Sequence, residues 1–229
     1  MSAQLPLQIR FRDGSTFADF VPGRNAEAAH YLQGGFVAGQ SVYLWGGAGT
    51  GKTHLLQAVC RDGAGRGESS VYLPLRQRAE LAPALLEGLE ALSLVCIDDI
   101  DAIAGDAAWE AALFHLFNRV RAGGGRIAIT GAASPRALGL GLPDLATRLA
   151  WGLVFQLHPL LDEEKARALQ ARARARGMDM PEAVARYLLQ RHARDMAALF
   201  ALLERLDRAS LAAQRRLTVP FVREVTGDA

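Results

Sequence analysis

The sequence predicts an α/β domain followed by a small all-helical subdomain. Two patterns point there. From Ser41 to Leu157, short apolar runs alternate with longer stretches of helical spacing, as the strands and crossover helices of a parallel sheet do. From Asp162 onward only helical spacing remains. A third observation marks the centre of the α/β part. The apolar run Val42–Trp45 leads straight into Gly46, four further residues, then Gly51, Lys52 and Thr53, and a helical pattern follows.

That stretch, Ser41–His54 (SVYLWGGAGTGKTH), has the G-x-x-x-x-G-K-[ST] spacing of a phosphate-binding loop in its proper strand-then-helix context. A polyphosphate needs many N–H donors close together, so the segment Gly46, Gly47, Ala48, Gly49, Thr50 and Gly51 must curl tightly, with few side chains in the way. The helix starting near Gly51 turns its positive end toward the phosphates. Lys52 reaches the phosphate oxygens as a point charge, the Thr53 hydroxyl ligates Mg²⁺, and His54 closes the binding segment. A chance glycine-rich loop before a lysine is the plainer reading. Lys52 and Lys165 are the only lysines in the sequence, so finding one in that slot favours nucleotide.

Composition bounds the rest. The 229 residues, half of them hydrophobic, suffice for one large domain or for one medium domain with a small appendage. Basic and acidic residues number 26 and 24, a net charge of +2, too balanced to imply nucleic-acid binding by bulk charge. Cys60 and Cys96 are far apart with no metal-ligand spacing, as expected of a reducing cytoplasm, and Cys96 reads as a small buried hydrophobe. No signal peptide and no membrane-spanning run is read from the sequence, so a cytoplasmic protein is expected.

In chain order, residues 1–14 form an extended arm in which Leu5, Leu7 and Ile9 alternate with other residues around Pro6. The arm is either an edge strand on the core or a peptide that docks on another protein. Residues 15–160 form the α/β domain. Phe17–Asn25 is turn-rich, and Asn25 can cap a helix to about Leu32. Gly51–Arg61 is helical and Gly63–Gly67 a flexible link. Ser70–Pro74 is a strand, and Arg76–Leu89 a helix kinked at Pro83. Leu92–Ile97 (LSLVCI) is apolar throughout, as a strand buried on both faces should be.

This strand ends in Asp98 and Asp99. Downstream of a phosphate loop, Asp98 would hold the metal through its water shell, and Asp99 would orient or deprotonate the attacking water; the plainer reading is a solvated strand end. Asp106–Arg121 is a helix with a core stripe of Trp109, Leu113, Leu116, Phe117 and Val120. Arg126–Thr130 is a further strand whose end should lie beside the phosphate loop. Pro143–Ala150 is a short helix and Gly152–Leu157 the last strand. Residues 161–229 form the lid: helices Asp162–Arg176, Pro181–Arg191 and Asp195–Leu206, and a short one after Pro220. The arginines of the first read as a solvated face.

The segments FADFVPGRN, YLWGGAGTGKTHLLQAVC, LSLVCIDDIDAIAGD, LPDLATRLAWG and LDRASLAAQRRLTVPFV resemble the AAA+ ATPases of the DnaA group, and within it the Hda family of DnaA-related regulators. The resemblance implies an AAA+ P-loop fold, a five-stranded parallel sheet flanked by helices with a small C-terminal helical lid. It implies ADP or ATP as ligand with Mg²⁺ on Thr53 and Asp98, and Val21, Pro22 and Asn25 near the adenine. Arg148 would be an arginine finger acting in trans on a neighbouring subunit's nucleotide. Gln4, Leu5, Leu7 and Ile9 would carry a motif for the DNA polymerase III sliding clamp, its β subunit. The implied function is to link DNA-loaded clamp to ATP-bound DnaA and stimulate hydrolysis there, with DNA reached through the clamp. The sequence stops at Ala229 just after the lid, where DnaA would continue into a DNA-reading domain. A homo-oligomer stays open.

Two departures concern turnover. Ala132 stands where relatives have an acidic residue after the fourth strand, leaving Thr130 as the nearest polar group. Ala197 stands where relatives have a lid arginine, with Arg194 three residues earlier. Weak intrinsic ATPase activity is therefore expected. The alternatives are an autonomous ATPase acting on DNA, such as a helicase loader or transposition helper, and a nucleotide kinase.

Overall fold

The computed structural model describes residues 15–192 and 196–227, the side chains of 78–80 and 197 excepted. The clamp-motif residues Gln4, Leu5, Leu7 and Ile9 lie outside the described residues, as does Arg194. Two compact units meet between His158 and Pro159.

The described residues of the first unit hold five strands: β1 (Ser41–Trp45), β2 (Ser70–Pro74), β3 (Leu94–Asp98), β4 (Arg126–Gly131) and β5 (Leu153–Gln156). They form one parallel sheet in the order β2-β3-β4-β1-β5. Strand side chains alternate between faces, and the two cores follow that alternation. Tyr43, Val95, Ile97, Ile127 and Ile129 enter one buried cluster with helix α3 (Ala107–Ala122) and helix α4 (Pro143–Leu149). Val42, Leu44, Leu94, Cys96 and Ala128 enter the other, with α1 (Ala26–Gln33) and α2 (Lys52–Gly65). Burial on both faces explains why the β3 run is apolar at every position. The stripe Trp109, Leu113, Leu116, Phe117 and Val120 is core, and both cysteines are buried on the α2 face.

Three local expectations need correction. No α-helix spans Arg76–Leu89; three 3₁₀ turns, Leu75–Glu80, Pro83–Leu86 and Leu89–Ala91, replace it. Pro83 lacks an N–H and holds Ala82 extended at φ −110° and ψ 152°, and Gly88 at φ 81° breaks the path again. Helix α2 runs on to Gly65, absorbing part of the expected Gly63–Gly67 link. Gly63 is buried there, and a Cβ on it would come within 3.2 Å of Leu94 Cδ2. Finally, Asn25 precedes α1 without capping it. Its amide accepts from the His158 N–H and donates to the His158 carbonyl, both at 2.8 Å.

The second unit contains α5 (Asp162–Ala175), α6 (Glu182–Arg191), α7 (Met196–Ala213) and α8 (Val219–Thr226). Leu169, Val184, Leu188, Leu203, Leu206 and Phe221 fill its own core. Helix α7 extends past the expected Leu206 and ends before Gln214, which has φ 51°. Thr218 caps α8 by accepting from the Phe221 N–H, with Pro220 in the first turn. No helix among the described residues is long and apolar enough to cross a membrane.

Candidate functional site

The parallel sheet brings the C-terminal ends of β1, β3 and β4 to one edge, where α/β folds bind ligands. Trp45 is paired with Gly131, and the Gly46 N–H donates to the Gly131 carbonyl at 3.3 Å. The end of β4 therefore lies against the start of the phosphate loop, as the sequence predicts.

The loop is a tight cradle. A Cβ on Gly46 would sit 2.4 Å from the Leu157 carbonyl oxygen. One on Gly51 would sit 2.7 Å from the Phe20 ring, and Gly51 itself has φ 94°. Only glycine fits either place. Gly47, Ala48 and Gly49 are exposed, whereas Thr50 is buried with its hydroxyl donating to the Gly47 carbonyl at 2.9 Å. Helix α2 begins at Lys52 behind Gly51, which offers no side-chain cap, and the positive end of such a helix suits an anion. Lys52 Nζ donates to the carbonyls of Gly46 at 2.7 Å and Gly47 at 2.9 Å. Burial pulls the Lys52 pKa down, against the pull of Asp99, Asp98 and Asp101. A phosphate would give this cation a charged acceptor instead of neutral carbonyls. His54 lies behind the loop, with Nε2 2.7 Å from the Thr16 carbonyl and its ring tilted against Phe20.

Asp98 is 2% exposed. Its Oδ2 accepts from the Thr53 hydroxyl at 2.8 Å and the Tyr72 hydroxyl at 2.7 Å, and its Oδ1 from the Thr130 hydroxyl. Burial and this neighbouring carboxylate push the Tyr72 phenol pKa up. A carboxylate so surrounded would act on Mg²⁺ through ligand waters more readily than by direct contact. Thr53 and Asp98 are thus together, and their hard oxygens fit that metal.

Asp99 leaves the strand in the left-handed region, φ 56° and ψ 56°, which aspartate tolerates better than most residues. Its N–H donates to the Thr130 hydroxyl at 2.9 Å. Burial, then the adjacent Asp98, raise the Asp99 pKa, while Arg76 opposes them. The Arg76 Nε lies 2.7 Å from Asp99 Oδ2. Sequence reading missed Arg76 by placing it inside a helix that does not form. It missed Asp101 as well, whose Oδ1 accepts from the Ala132 N–H at 3.0 Å. The position after β4 that carries no acid of its own is thereby bonded to one from the β3 end.

Arg148 lies in the last turn of α4. No ion pair to it is found among the described residues. Its guanidinium lies 3.6 Å from the centre of the Trp151 ring and 5.6 Å from that of Phe114. The start of α4 is held by Glu110, a 1% exposed carboxylate that accepts from the N–H groups of Gly105, Gly141 and Leu142 at 2.7–3.1 Å. Sequence reading missed Glu110 because its three partners are backbone groups of loops. Val21 is half-buried and Pro22 exposed, just ahead of Asn25.

Comparison with known proteins adds two findings. The family described as Hda, lid domain, matches residues 162–226. Among solved structures, domain III of the Thermotoga maritima replication initiation protein DnaA superposes with a TM-score of 0.78 at 20% identity, covering 96% of this chain and 98% of that one. AMPPCP-bound DnaA from Aquifex aeolicus gives 0.71 at 21% identity, covering 84% and 66%. The Thermotoga maritima RuvB Holliday junction branch migration motor gives 0.65 at 17%, covering 86% and 64%. The chain thus has the fold of DnaA domain III, and its residues 162–226 match the Hda lid family.

Proposed function

We propose that this protein is an adenine-nucleotide-binding regulator of replication initiation. It links DNA-loaded sliding clamp to ATP-bound DnaA and stimulates hydrolysis on DnaA, so that initiation is switched off. The observation that carries the reading is the Hda lid match on a chain of DnaA-like fold. Residues 46–54 hold ADP or ATP, Thr53 and Asp98 hold Mg²⁺, and Asn25 with Val21 and Pro22 lies by the adenine. The AMPPCP-bound DnaA structure supports an adenine nucleotide here. Arg148 reaches DnaA's nucleotide in trans, and residues 4–9 dock on the clamp. The protein works in the cytoplasm, where these partners are. Residues 1–14 serve as docking arm, 15–160 as nucleotide domain and 161–229 as lid.

The test is phosphate release from ATP-bound DnaA with the full chain and clamp-loaded DNA. Stimulation should require all three, and removal of residues 1–10 should abolish it while leaving nucleotide binding intact. Stimulation that survives without clamp would refute the linking role. The autonomous-ATPase reading rests on the complete loop with Asp98 and Asp99, and on the likeness to the RuvB motor. Turnover of many per second by the isolated chain would favour it.

A further inference from the structure

Arg148 has a feature that an ordinary surface arginine lacks. Its partner is an aromatic face rather than a carboxylate. Trp151 is 55% exposed, so this indole is not there to fill the core. One guanidinium, Arg148, lies 3.6 Å from its ring centre and a second, Arg121, lies 5.1 Å away.

The backbone beneath the indole is fixed from both sides. The Trp151 N–H donates to the Arg148 carbonyl at 3.1 Å, closing the last turn of α4 and setting the two side chains one turn apart. The next residue is Gly152, where a Cβ would lie 1.8 Å from the Ser41 carbonyl oxygen. Chain entry into β5 at that point is therefore tied to the buried start of β1. At its other end α4 is pinned by Glu110.

We propose that Trp151 is the positioning residue for Arg148. A guanidinium stacked on an indole is held by its face, so its in-plane N–H donors and its full charge remain available. A carboxylate partner would hold the same arginine by consuming those donors and offsetting the charge. For a group that must meet a phosphoryl oxygen on another molecule, the stacked arrangement fixes direction without spending donors. The inference rests on Arg148 acting in trans as proposed above.

The experiment uses the full chain with clamp-loaded DNA and ATP-bound DnaA, and compares Trp151→Ala and Trp151→Phe with the parent. Losing the stack is expected to lower the maximal stimulated rate about 2- to 30-fold. The chain concentration giving half-maximal stimulation should stay nearly constant, and Trp151→Phe should recover most of the rate. A second measurement needs no partner: the Arg148 Nε–Hε NMR signal should show a ring-current shift in the parent that Trp151→Ala removes. A raised half-maximal concentration with an unchanged maximal rate would overturn the proposal, because Trp151 would then be a contact to the partner. So would an Arg148 signal indifferent to Trp151. If Arg148→Ala stimulates as the parent does, the trans reading fails and takes this proposal with it. If Arg148→Ala is inactive while Trp151→Ala is fully active, the trans reading stands and only the role of Trp151 falls.

Discussion

Asp98 and Arg148 are both charged groups at the end of a secondary-structure element, yet their surroundings differ in kind. Asp98 is 2% exposed and takes three hydroxyl donors, from α2, β2 and β4. Arg148 lies on an aromatic face, and no ion pair to it is found among the described residues. A buried carboxylate must be satisfied from within, because an unpaired one costs more than any single bond returns. An arginine intended for another molecule gains from the reverse, since every internal acceptor would compete with the external one. The polar network thus lies at the proposed ligand site, and the stacked cation is the group proposed to act on another molecule.

The sharpest way to break that contrast is Arg148→Ala. Arginine fingers are worth about 10³–10⁵ in rate in GTPases, and a loss on that scale is expected in stimulated hydrolysis on DnaA. The variant should still bind nucleotide and melt close to the parent, because no ion pair is lost. Weaker binding of its own nucleotide would place Arg148 in the internal site and erase the distinction.

Lys52→Ala attacks the other region. A charge-assisted contact of about 1.5–3 kcal/mol is removed, so ATP affinity should fall about 10- to 100-fold in calorimetry. Unchanged affinity would mean that the loop does not cradle a phosphate.

These two regions were not equally legible in the sequence. The phosphate loop is contiguous, so its spacing alone announced it. The alternation of apolar runs gave all five strands, because burial on two faces leaves a plain signature. The partners of Asp98 were hidden: Tyr72 is 26 residues away and Thr130 is 32, and only strand order brings them together. Asn25 was read as a local cap, but its amide is spent on His158, 133 residues on. The Arg148–Trp151 stack did have a local signal, two suitable residues one helical turn apart. What was missing was the knowledge that no acid among the described residues pairs with Arg148 in its place. Arg76 was unreadable for a different reason. Its segment has helical spacing, and Pro83 and Gly88 turn it into short 3₁₀ pieces instead.

Glu110→Ala asks whether the two regions are mechanically separate. It strips three backbone N–H groups of a buried acceptor, and each unpaired donor is costly, so chemical denaturation should show a loss of about 1–3 kcal/mol. Stimulation of DnaA should weaken as α4 loosens, while ATP affinity holds. If affinity falls in step with stimulation, the anchoring of α4 also supports the nucleotide pocket.

The smallest effect is expected at Arg76, and its pH dependence separates charge from packing. Arg76 is an exposed residue paired with Asp99 at 2.7 Å, and pairs of this type contribute about 0–1 kcal/mol. The Asp99 pKa is raised in the folded protein by burial and Asp98, with Arg76 pulling the other way. Arg76→Ala should therefore raise it further. A carboxyl whose folded-state pKa exceeds its unfolded value adds stability that is full below the unfolded pKa and is lost as pH rises through the folded one. The variant loses more of it, because its folded pKa is higher. Its deficit relative to the parent should be absent near pH 3, where Asp99 is protonated in both states. It should grow as pH rises past the carboxylate range and level off, at most about 1 kcal/mol, by neutrality. Denaturation midpoints across that range would show it, and an equal deficit at acid and neutral pH would mean that Arg76 contributes through its packing rather than its charge.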